Sequence, residues 1–414
     1  MNNRQSAIAI QSTLKTFQKF TLDSRPTGAG KTTGKSNSIY SRITDFINQN
    51  QSVIIVVPSI KLQEAYQTTF PNIVIVNKTE ESSAYSKFTK ALKLQTKIIC
   101  VTSKFFRDLS TDEDITSYHL IIDEAFTPHD IIPVDNRNTG KMSAINTDGG
   151  EDVLKSTFAI VKQLTIDIVL GYKSVHIAAA ALEVTFLYYW LTSNNINFTF
   201  TGNFTKHTGP KLHCANLEAT WSMQKQKDAR ESSAFDYVAA NRKAIGELNV
   251  PTLYYGNTTN DNKPSNSIFA YYSDLNSAGS NEYMHCVKVV CEQAINPNPA
   301  VAMQLKQMYN MNDYELHRAY STYDMYQNIG RTAIRIGKAV DAYLMSLIDT
   351  TILNNDFYHT NDIDMYELES LPQKEVRKVR SDKGTKVKSV EEKKAAKSIA
   401  NAKARAKKLI EKGL

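Results

Sequence analysis

Short apolar runs alternate with amphipathic stretches along the first half of the chain. The runs are rich in β-branched residues and mostly apolar on both sides, which is typical of strands buried in a parallel sheet. They predict strands at Thr16–Thr21, Ser52–Val57, Lys97–Val101, His119–Ile122 and Ser174–Ile177. The stretches between them predict helices at Ser36–Gln49, Lys61–Thr68 and Lys155–Gly171. This alternation indicates an α/β domain with helices on both faces of its sheet.

A second α/β pattern begins a little after Phe200. It predicts strands at Thr252–Tyr255, Ser267–Tyr272 and Cys286–Cys291. It predicts helices at Asp236–Leu248, Ala300–Tyr309, Asp313–Ser321 and Met325–Leu347. The pattern is lost after Asn354, where we expect a linker. We therefore expect one α/β domain over residues 1–205, a second over 206–353, and a linker with a tail over 354–414.

The composition fits a soluble globular protein of two domains. The chain has 414 residues, of which 42% are hydrophobic and 22% charged. No apolar run reaches the roughly 18 residues that a membrane span requires. The N-terminus also has no long apolar stretch of the kind a secretory signal contains. We expect a cytoplasmic protein that binds no membrane, or a protein of the host cytoplasm if its source is viral.

The excess positive charge lies at the C-terminal end. The formal net charge is +7, yet residues 374–414 alone contain 15 Lys and Arg against 5 Asp and Glu. Val390–Lys412 has helical propensity, whereas we expect Lys386–Lys388 to be extended or disordered. Two interpretations stay open for this basic tail. It could contact nucleic-acid phosphates or replication proteins, or it could be a solvated segment that aids solubility.

The clearest local motif is a glycine-rich loop between a predicted strand and a predicted helix, Arg25-Pro-Thr-Gly-Ala-Gly-Lys-Thr-Thr33. Glycines let the backbone turn sharply and point N–H groups at phosphate oxygens. The lysine would pair with the β- and γ-phosphates, and the first threonine after it would help to hold Mg²⁺. Arg25 stands where the strict phosphate-loop pattern has glycine. The candidate residues for ATP binding are Pro26, Thr27, Gly28, Ala29, Gly30, Lys31, Thr32 and Thr33.

An acidic pair follows one of the apolar strands. Asp123 and Glu124 come directly after His119–Ile122, and the carboxyl end of a parallel strand is well placed for chemistry. Asp123 is a candidate metal ligand together with Thr32. Glu124 is a candidate to polarise an attacking water. Alone, such a pair is also an ordinary polar strand end. The phosphate loop that precedes it in the sequence favours the catalytic interpretation.

Several blocks in order resemble the motifs of superfamily 2 helicases, the DEAD/DEAH-like group of nucleic-acid-dependent ATPases. The phosphate loop resembles motif I, and the segment IIDEA resembles motif II. Ile54–Tyr66 resembles motif Ia, Ile98–Phe106 resembles motif Ib, and Ser273–Asn281 loosely resembles motif V. The resemblance implies two tandem RecA-like domains with parallel sheets, which bind ATP and Mg²⁺ in the cleft between them.

A block in the second half resembles motif VI, written Q-x-x-G-R-x-x-R. Gln327 to Arg331 matches it, while Arg335 comes one residue late. The resemblance implies that Arg331 reaches the γ-phosphate as an arginine finger, with Gln327 and Arg335 beside it. Taken from spacing alone, Arg331 and Arg335 would share a solvated helix face.

The resemblance also implies contacts with the backbone of a single strand. The sequence does not decide between DNA and RNA, and we expect DNA in preference to RNA. The residues that the resemblance assigns to these contacts are Pro58, Ser59, Thr102, Ser103, Ser277 and Gly279. Two departures stand out. The motif III position is Ala178–Leu182, which has no hydroxyl where the family has Ser-Ala-Thr, and Ala278 stands where many members have arginine in motif V.

Three hypotheses remain open from the sequence. The first is an ATP-dependent helicase or translocase, acting in DNA replication or repair. The second is another nucleic-acid motor, such as a packaging motor, which would leave the Gln327–Arg331 block unexplained. The third is a helicase-like binding protein with weakened catalysis. The abundance of Asn, Lys, Ile and Tyr indicates an AT-rich genome, and a compact chain with loosened motifs suits a virus, phage or plasmid.

Overall fold

The computed structural model describes residues 20–34, 36–79, 82–109, 114–134, 158–217, 221, 237–246, 249–256, 268–273, 282–293, 295–359 and 362–368. The basic tail lies outside these residues, and so do Ser277 and Gly279. The motif V resemblance and the tail helix therefore stay predictions.

The first sheet is parallel throughout the described residues. Its strands lie in the order β3-β4-β2-β5-β8-β1-β9. They are β1 (Phe20–Asp23), β2 (Ser52–Val57), β3 (Val74–Val76), β4 (Ile98–Thr102), β5 (Tyr118–Asp123), β8 (Ser174–Ala178) and β9 (Thr199–Gly202). β1 runs two residues past its predicted end, to Asp23, so its end reaches the sheet edge where β5 also ends, while the predicted start at Thr16 lies outside the described residues.

Helices pack on this sheet and begin at polar caps. They are α1 (Ile39–Asn48), α2 (Ile60–Thr69), α3 (Ala84–Lys93), α4 (Ser103–Arg107), α5 (Ile166–Gly171) and α6 (Phe186–Ser193). Ser38 begins α1 with a capping box, and the hydroxyls of Ser59, Thr102 and Thr185 cap α2, α4 and α6. These caps satisfy backbone N–H groups that no helical carbonyl can reach.

The predicted helix Lys155–Gly171 is wrong over its first half. Phe158–Gln163 forms strand β7, which pairs antiparallel with β6 (His129–Val134), and only α5 is helical. The β-branched and aromatic residues of this stretch suit a strand. Its pairing with β6 makes it a strand and not a helix. This hairpin follows the Asp123–Glu124 pair.

The second sheet is also parallel in the described part of the chain. Its strands lie in the order β13-β12-β14-β15-β11-β17. They are β11 (Lys211–Ala215), β12 (Thr252–Tyr255), β13 (Ala270–Ser273), β14 (Lys288–Cys291), β15 (Asp341–Leu344) and β17 (Ile363–Tyr366). A separate short pair joins β10 (His207–Thr208) to β16 (Tyr358–His359). β17 pairs with β11, so the expected linker after Asn354 contributes a strand to this sheet.

The helices of the second half are α7 (Tyr237–Ile245), α8 (Pro299–Tyr309), α9 (Asp313–His317), α10 (Tyr323–Ile329) and α11 (Leu347–Ile352). A π-helical turn at Arg318–Thr322 joins α9 to α10.

The predicted helix Met325–Leu347 is wrong beyond Ile329. The chain leaves α10 at Gly330, forms a 3₁₀ turn at Ala333–Ile336, closes it with Gly337 at φ 75° and then enters β15. A positive φ at glycine ends a helix at little steric cost.

The two halves share a core. Val301, Leu305 and Tyr309 of α8, with Leu316 of α9, are buried in the same cluster as Trp190 of α6. α8 also contacts β6 and β7. Helical periodicity predicts that α8 and α9 bury an apolar face, but it does not indicate which sheet receives that face.

The predicted α/β class with two parallel sheets is confirmed, and the arrangement is consistent with two RecA-like domains. Among the described residues, none of the helices combines the length and apolar character that crossing a bilayer requires.

Candidate functional site

Three neighbouring strands bring the phosphate loop and the acidic pair to one edge of the first sheet. β8 lies between β5 and β1, and Ala178 at its end is in register with both Asp123 and Asp23. All three strands are parallel, so their carboxyl ends meet at the same edge, where open α/β sheets bind ligands.

The phosphate loop makes two sharp turns after β1. Gly28 and Gly30 have φ values of 81° and 71°, a region that favours glycine. The Ile39 amide donates to the Lys31 carbonyl at 2.7 Å, which fastens the loop to the start of α1. The sequence predicts a helix from Ser36, yet α1 begins only at Ile39. Lys31 and Thr32 therefore lie in a turn ahead of the helix.

Arg25, which replaces the first glycine of the strict pattern, braces the loop. Its guanidinium donates to the Asp23 carboxylate at 2.6 Å and to the carbonyls of Asn37 at 3.2 Å and Ala29 at 3.4 Å. Burial alone would raise the pKa of Asp23. The hydrogen bonds from Arg25 outweigh it and lower that pKa.

Lys31 points back into its own loop. Its ammonium group donates to the carbonyl oxygens of Arg25 at 2.7 Å and Pro26 at 2.8 Å. Burial lowers the pKa of Lys31 to about 8, although the nearby carboxylates of Glu124, Asp23 and Asp123 act in the opposite direction. The loop thus holds a desolvated cation, paired with dipoles that a phosphate could replace.

Asp123 accepts hydrogen bonds from two elements. The Thr32 hydroxyl donates to its Oδ1 at 3.1 Å, and the hydroxyl of Tyr66, on α2, donates to its Oδ2 at 2.7 Å. Burial raises the pKa of Asp123 to about 6, and Glu124 raises it further, while the bonds from Tyr66 and Thr32 oppose the rise. The predicted metal-ligand pair, Thr32 and Asp123, is in direct contact.

Glu124 has an unusual backbone. Its φ is 88°, a value that side-chain-bearing residues rarely adopt. Its amide donates to the Ala178 carbonyl at 2.8 Å, which fixes the turn directly after β5. Local backbone strain of about 1–3 kcal/mol persists only where surrounding contacts hold it, and it is concentrated at functional sites.

The second half contributes Gln327, Arg331 and Arg335. Gln327 Nε2 donates to the Tyr323 hydroxyl at 2.8 Å, and Arg331 Nη1 donates to Asn328 Oδ1 at 2.7 Å. Arg331 lies beyond α10, and Arg335 lies in the 3₁₀ turn, so the shared helix face that their spacing suggests does not exist. Both side chains nevertheless line the same cavity as Lys31.

This cavity unites the predicted residues of both halves. Its volume is about 460 Å³, within the range of small-molecule sites. From the first half it is lined by Thr27, Gly28, Gly30, Lys31, Thr32, Thr33, Asp123 and Glu124, and from the second half by Gln327, Arg331 and Arg335. Pro26 and Ala29 belong to the same loop without lining the cavity.

The phosphate loop touches the arginine-bearing segment directly. The Thr27 amide donates to the Tyr326 hydroxyl at 3.2 Å. A Cβ atom on Gly330 would lie 2.6 Å from Thr27 Oγ1, and one on Gly28 would lie 3.2 Å from the carbonyl oxygen of Arg335. A side chain at position 330 would therefore force Thr27 to move at this close approach between the two halves.

Four of the six predicted single-strand contacts lie at the same sheet edge, and the other two, Ser277 and Gly279, lie outside the described residues. β2 and β4 are adjacent and in register at Val57 and Thr102, so Pro58 and Ser59 come close to Thr102 and Ser103. The hydroxyls of Ser59 and Thr102 accept from Leu62 N and Phe105 N, both at 3.3 Å. Their observed role is helix capping, and strand contact stays a prediction.

A second cavity of about 460 Å³ lies between the hairpin and α10, lined by Arg107, Phe126, His129, Tyr320 and Asp324 among others. Two of its polar side chains have hydrogen-bond partners nearby. Arg107 donates to the carbonyl of His129 at 3.2 Å, and His129 Nδ1 is 2.7 Å from the Tyr309 hydroxyl. We place the candidate site in the first cavity, where the phosphate loop and the acidic pair meet.

Sequence reasoning missed three contributors to this site. Tyr66 ends the motif Ia-like block, Tyr326 precedes Gln327, and Arg25 counts as a departure from the pattern. Only Arg25 gave a signal, because an arginine two residues after Asp23 suggests an ion pair. Nothing in the sequence links Tyr66 to Asp123, since the contact depends on how α2 packs on the sheet.

Comparison with known proteins identifies a shared fold. No protein family matches the sequence, and no curated protein matches it. A structure named "XPD_APO" aligns with a TM-score of 0.51 at 10% identity, over 88% of this chain and 100% of that one. S. tokodaii Xpd4 gives a TM-score of 0.49 at 10% identity over 88% and 100%. Mss116p bound to ssRNA and AMP-PNP gives 0.42 at 13% over 89% and 78%. The chain shares the fold of the first.

Proposed function

We propose that this protein is a nucleic-acid-dependent ATPase that acts as a helicase or translocase. One observation carries the proposal. Lys31, Thr32, Asp123 and Glu124 from the first sheet line one cavity of about 460 Å³ with Arg331 from the second half. An ATPase whose hydrolysis depends on domain closure needs this composition, a phosphate cradle on one side and a cation on the other.

The donor set fits ATP with Mg²⁺. Mg²⁺ favours oxygen ligands and takes one or two carboxylates plus substrate phosphates and waters. Thr32 Oγ1 and Asp123 Oδ1 lie 3.1 Å apart and offer such oxygens. Among the described residues no group of three or more His, Cys, Asp or Glu could hold a metal alone, in keeping with a metal that arrives with the nucleotide. When bound, Mg²⁺ would neutralise charge on the phosphate oxygens.

Lys31 would bind the phosphates by exchanging partners. Its ammonium group would leave the carbonyls of Arg25 and Pro26, 2.7 and 2.8 Å away, for the β- and γ-phosphate oxygens. Arg25 would keep the loop in shape while Lys31 moves, because its own hydrogen bonds run to Asp23, Asn37 and Ala29. The turns at Gly28 and Gly30 would direct backbone N–H groups to the same oxygens.

Catalytic roles follow from the remaining positions. Glu124 would orient the attacking water and accept its proton. Arg331 would donate to the γ-phosphate as negative charge develops there, as an arginine finger does. Gln327 and Arg335 would support it. These groups come from both halves, so closure of the cleft would be required for hydrolysis.

A single strand would run along the edge formed by Pro58–Ser59 and Thr102–Ser103. Backbone N–H groups and hydroxyls at helix starts suit phosphate contacts that carry no sequence information. We propose single-stranded DNA before RNA, and a role in replication or repair, with replication proteins as candidate partners of the tail.

A second candidate is a helicase-like binding protein with weakened catalysis. The segment Ala178–Leu182 has no hydroxyl side chain, and its hydrogen bonds are made by its backbone while its apolar side chains are buried. The Ala179 amide donates to the Asp23 carbonyl at 3.0 Å, and the Ala178 carbonyl accepts from Glu124 at 2.8 Å. Such a protein would bind ATP and a strand without coupling them.

The test is ATP hydrolysis by the purified protein, alone and with single-stranded DNA, duplex DNA or single-stranded RNA. We expect one polymer to stimulate hydrolysis, and Lys31→Ala to abolish it. Stimulation by RNA alone would change the proposed track. ATP binding without hydrolysis under every condition would favour the second candidate.

A further inference from the structure

A tyrosine from outside the phosphate loop holds the carboxylate of the candidate metal site. The Tyr66 side chain is fully buried on α2, and its hydroxyl donates to Asp123 Oδ2 at 2.7 Å. The Thr32 hydroxyl lies 3.1 Å from Oδ1 and 3.3 Å from Oδ2 of the same carboxylate. The carboxylate is thus held from two different elements, which restricts its rotation.

The ring of Tyr66 is itself fixed. Tyr40 of α1 meets it edge-on with ring centroids 5.1 Å apart, and Phe70 stacks beside it at 6.5 Å. Tyr40 also lines the nucleotide cavity. The hydroxyl therefore has little freedom to leave Asp123, since any other position would require these rings to repack.

We infer that Tyr66 is a positioning residue that orients Asp123 for a divalent cation bound with nucleotide. The inference rests on the proposed function and adds a residue to it. Mg²⁺ demands near-ideal octahedral geometry, so a carboxylate held in one orientation loses less entropy on binding it. Hydrogen bonds to metal-ligating groups typically change metal affinity by about 10- to 100-fold.

The competing explanation is that Tyr66 is only a buried side chain with a satisfied hydroxyl. Tyr172 provides the matched control. It is 1% exposed and belongs to the same core cluster as Trp190, and its hydroxyl has no hydrogen-bond partner among the described residues. Tyr172→Phe removes a buried hydroxyl from the same half of the molecule without touching Asp123.

The experiment measures binding of a fluorescent, non-hydrolysable ATP analogue to the full chain. Affinity is first measured in EDTA, and MgCl₂ is then titrated at fixed analogue. For Tyr66→Phe we expect unchanged affinity in EDTA and about a tenfold increase in the Mg²⁺ concentration at half-saturation. For Tyr172→Phe we expect both quantities to equal those of wild type.

Two results would overturn the inference. The first is a Mg²⁺ titration of Tyr66→Phe that matches wild type. The second is equal loss of affinity with and without Mg²⁺, which would indicate a structural role alone. If wild type itself gains no affinity from Mg²⁺, the proposed function fails instead, and the two failures are distinguishable.

A second measurement keeps the hydroxyl that Tyr66→Phe removes, so it reports on the intact hydrogen bond to Asp123. 3-Fluorotyrosine placed at position 66 should change its ¹⁹F chemical shift when MgCl₂ is added to the protein with bound analogue. The same label at position 172 should not respond. A label at 66 that ignores Mg²⁺ would contradict the inference.

Discussion

The pKa of Lys31 is lowered toward 7, and the pKa of Asp123 is raised toward 7. Burial disfavours the charged form of each, which lowers the pKa of Lys31 to about 8 and raises that of Asp123 to about 6. Lys31 is therefore charged below about pH 8, and Asp123 is charged above about pH 6. The free protein has both charges together only between these values.

We predict that affinity for a Mg²⁺–ATP analogue is greatest between about pH 6 and 8. It should fall as the pH rises through 8, where Lys31 loses its proton, and as the pH falls through 6, where Asp123 gains one. Equilibrium binding from pH 5 to 9.5 measures this profile. The decrease in affinity below about pH 6 should be seen only when Mg²⁺ is present. Lys31→Arg keeps its positive charge at high pH, so it should abolish the decrease in affinity above about pH 8. If Lys31→Arg still shows that decrease, Lys31 is not its cause.

Arg25 gives a second prediction for single residues. Arg25→Gly restores the strict phosphate-loop pattern, yet it leaves the Asp23 carboxylate, 2% exposed, without its guanidinium partner. We expect a loss of about 2 kcal/mol in the free energy of unfolding, less than for a fully buried pair because Arg25 is 29% exposed. Urea unfolding measures it. In a protein that already carries Asp23→Asn, Arg25→Gly should lower the free energy of unfolding by less. An equally large decrease there would show that the ion pair is not its cause.

At the scale of elements, contact between α10 and the phosphate loop joins the two halves. Tyr326 accepts from the Thr27 amide, and Gly330 lies against the Thr27 side chain. The backbone at Gly330, with φ −63° and ψ −9°, suits any residue. The glycine is therefore explained by the neighbouring loop and not by its own backbone.

Gly330→Ala should weaken nucleotide binding by pushing the loop from α10. The added Cβ would lie 2.6 Å from Thr27 Oγ1. Relieving this overlap should cost about 1–3 kcal/mol, so we expect the affinity for nucleotide to fall about tenfold. The matched control is Gly256→Ala, where the nearest atom is 3.8 Å away. Binding titrations of both variants compare them, and equal affinities would refute the steric explanation.

Strands with a continuous apolar or aromatic run could be predicted from sequence, and a short apolar stretch that suits both helix and strand could not. β2 and β12 match their predicted bounds because continuous apolar or aromatic runs identify them. Phe158–Gln163 became a strand only because His129–Val134 pairs with it. At the site, glycine spacing predicted the loop, whereas the contact of Tyr66 with Asp123 depends on packing that no local pattern encodes.

At the scale of the whole molecule, α8 and α9 bury their apolar faces with the first core, and α10 continues from them toward the cavity. The arginine-bearing segment itself is buried in the second core, since Tyr326, Ile329 and Ala333 belong to the same cluster as Leu253 and Val289, so α8 and α9 connect it to the half that holds the phosphate loop. Closure of the cleft would then involve the connection at Arg318–Thr322, where the π-helical turn marks a local change in helix geometry.

The basic tail gives a prediction for the whole chain. Truncation after Gln373 removes 15 basic residues and 5 acidic ones. If the tail contacts phosphates, truncation should weaken single-strand binding and flatten the dependence of log K on log salt, since each neutralised phosphate adds about 0.7 to the slope. Anisotropy titrations at several salt concentrations measure this. An unchanged slope would leave the tail as a solvated segment.

The most direct test of the account compares Arg331→Ala with Lys31→Ala in polymer-stimulated ATP hydrolysis and in ATP binding. Lys31→Ala should lose both, because in the proposed function the lysine binds phosphate in the ground state. Arg331→Ala should keep most of the binding and lose about a thousandfold in hydrolysis, as expected for an arginine finger. Stimulated hydrolysis at the wild-type rate in Arg331→Ala would contradict the central claim that the two halves form one catalytic site.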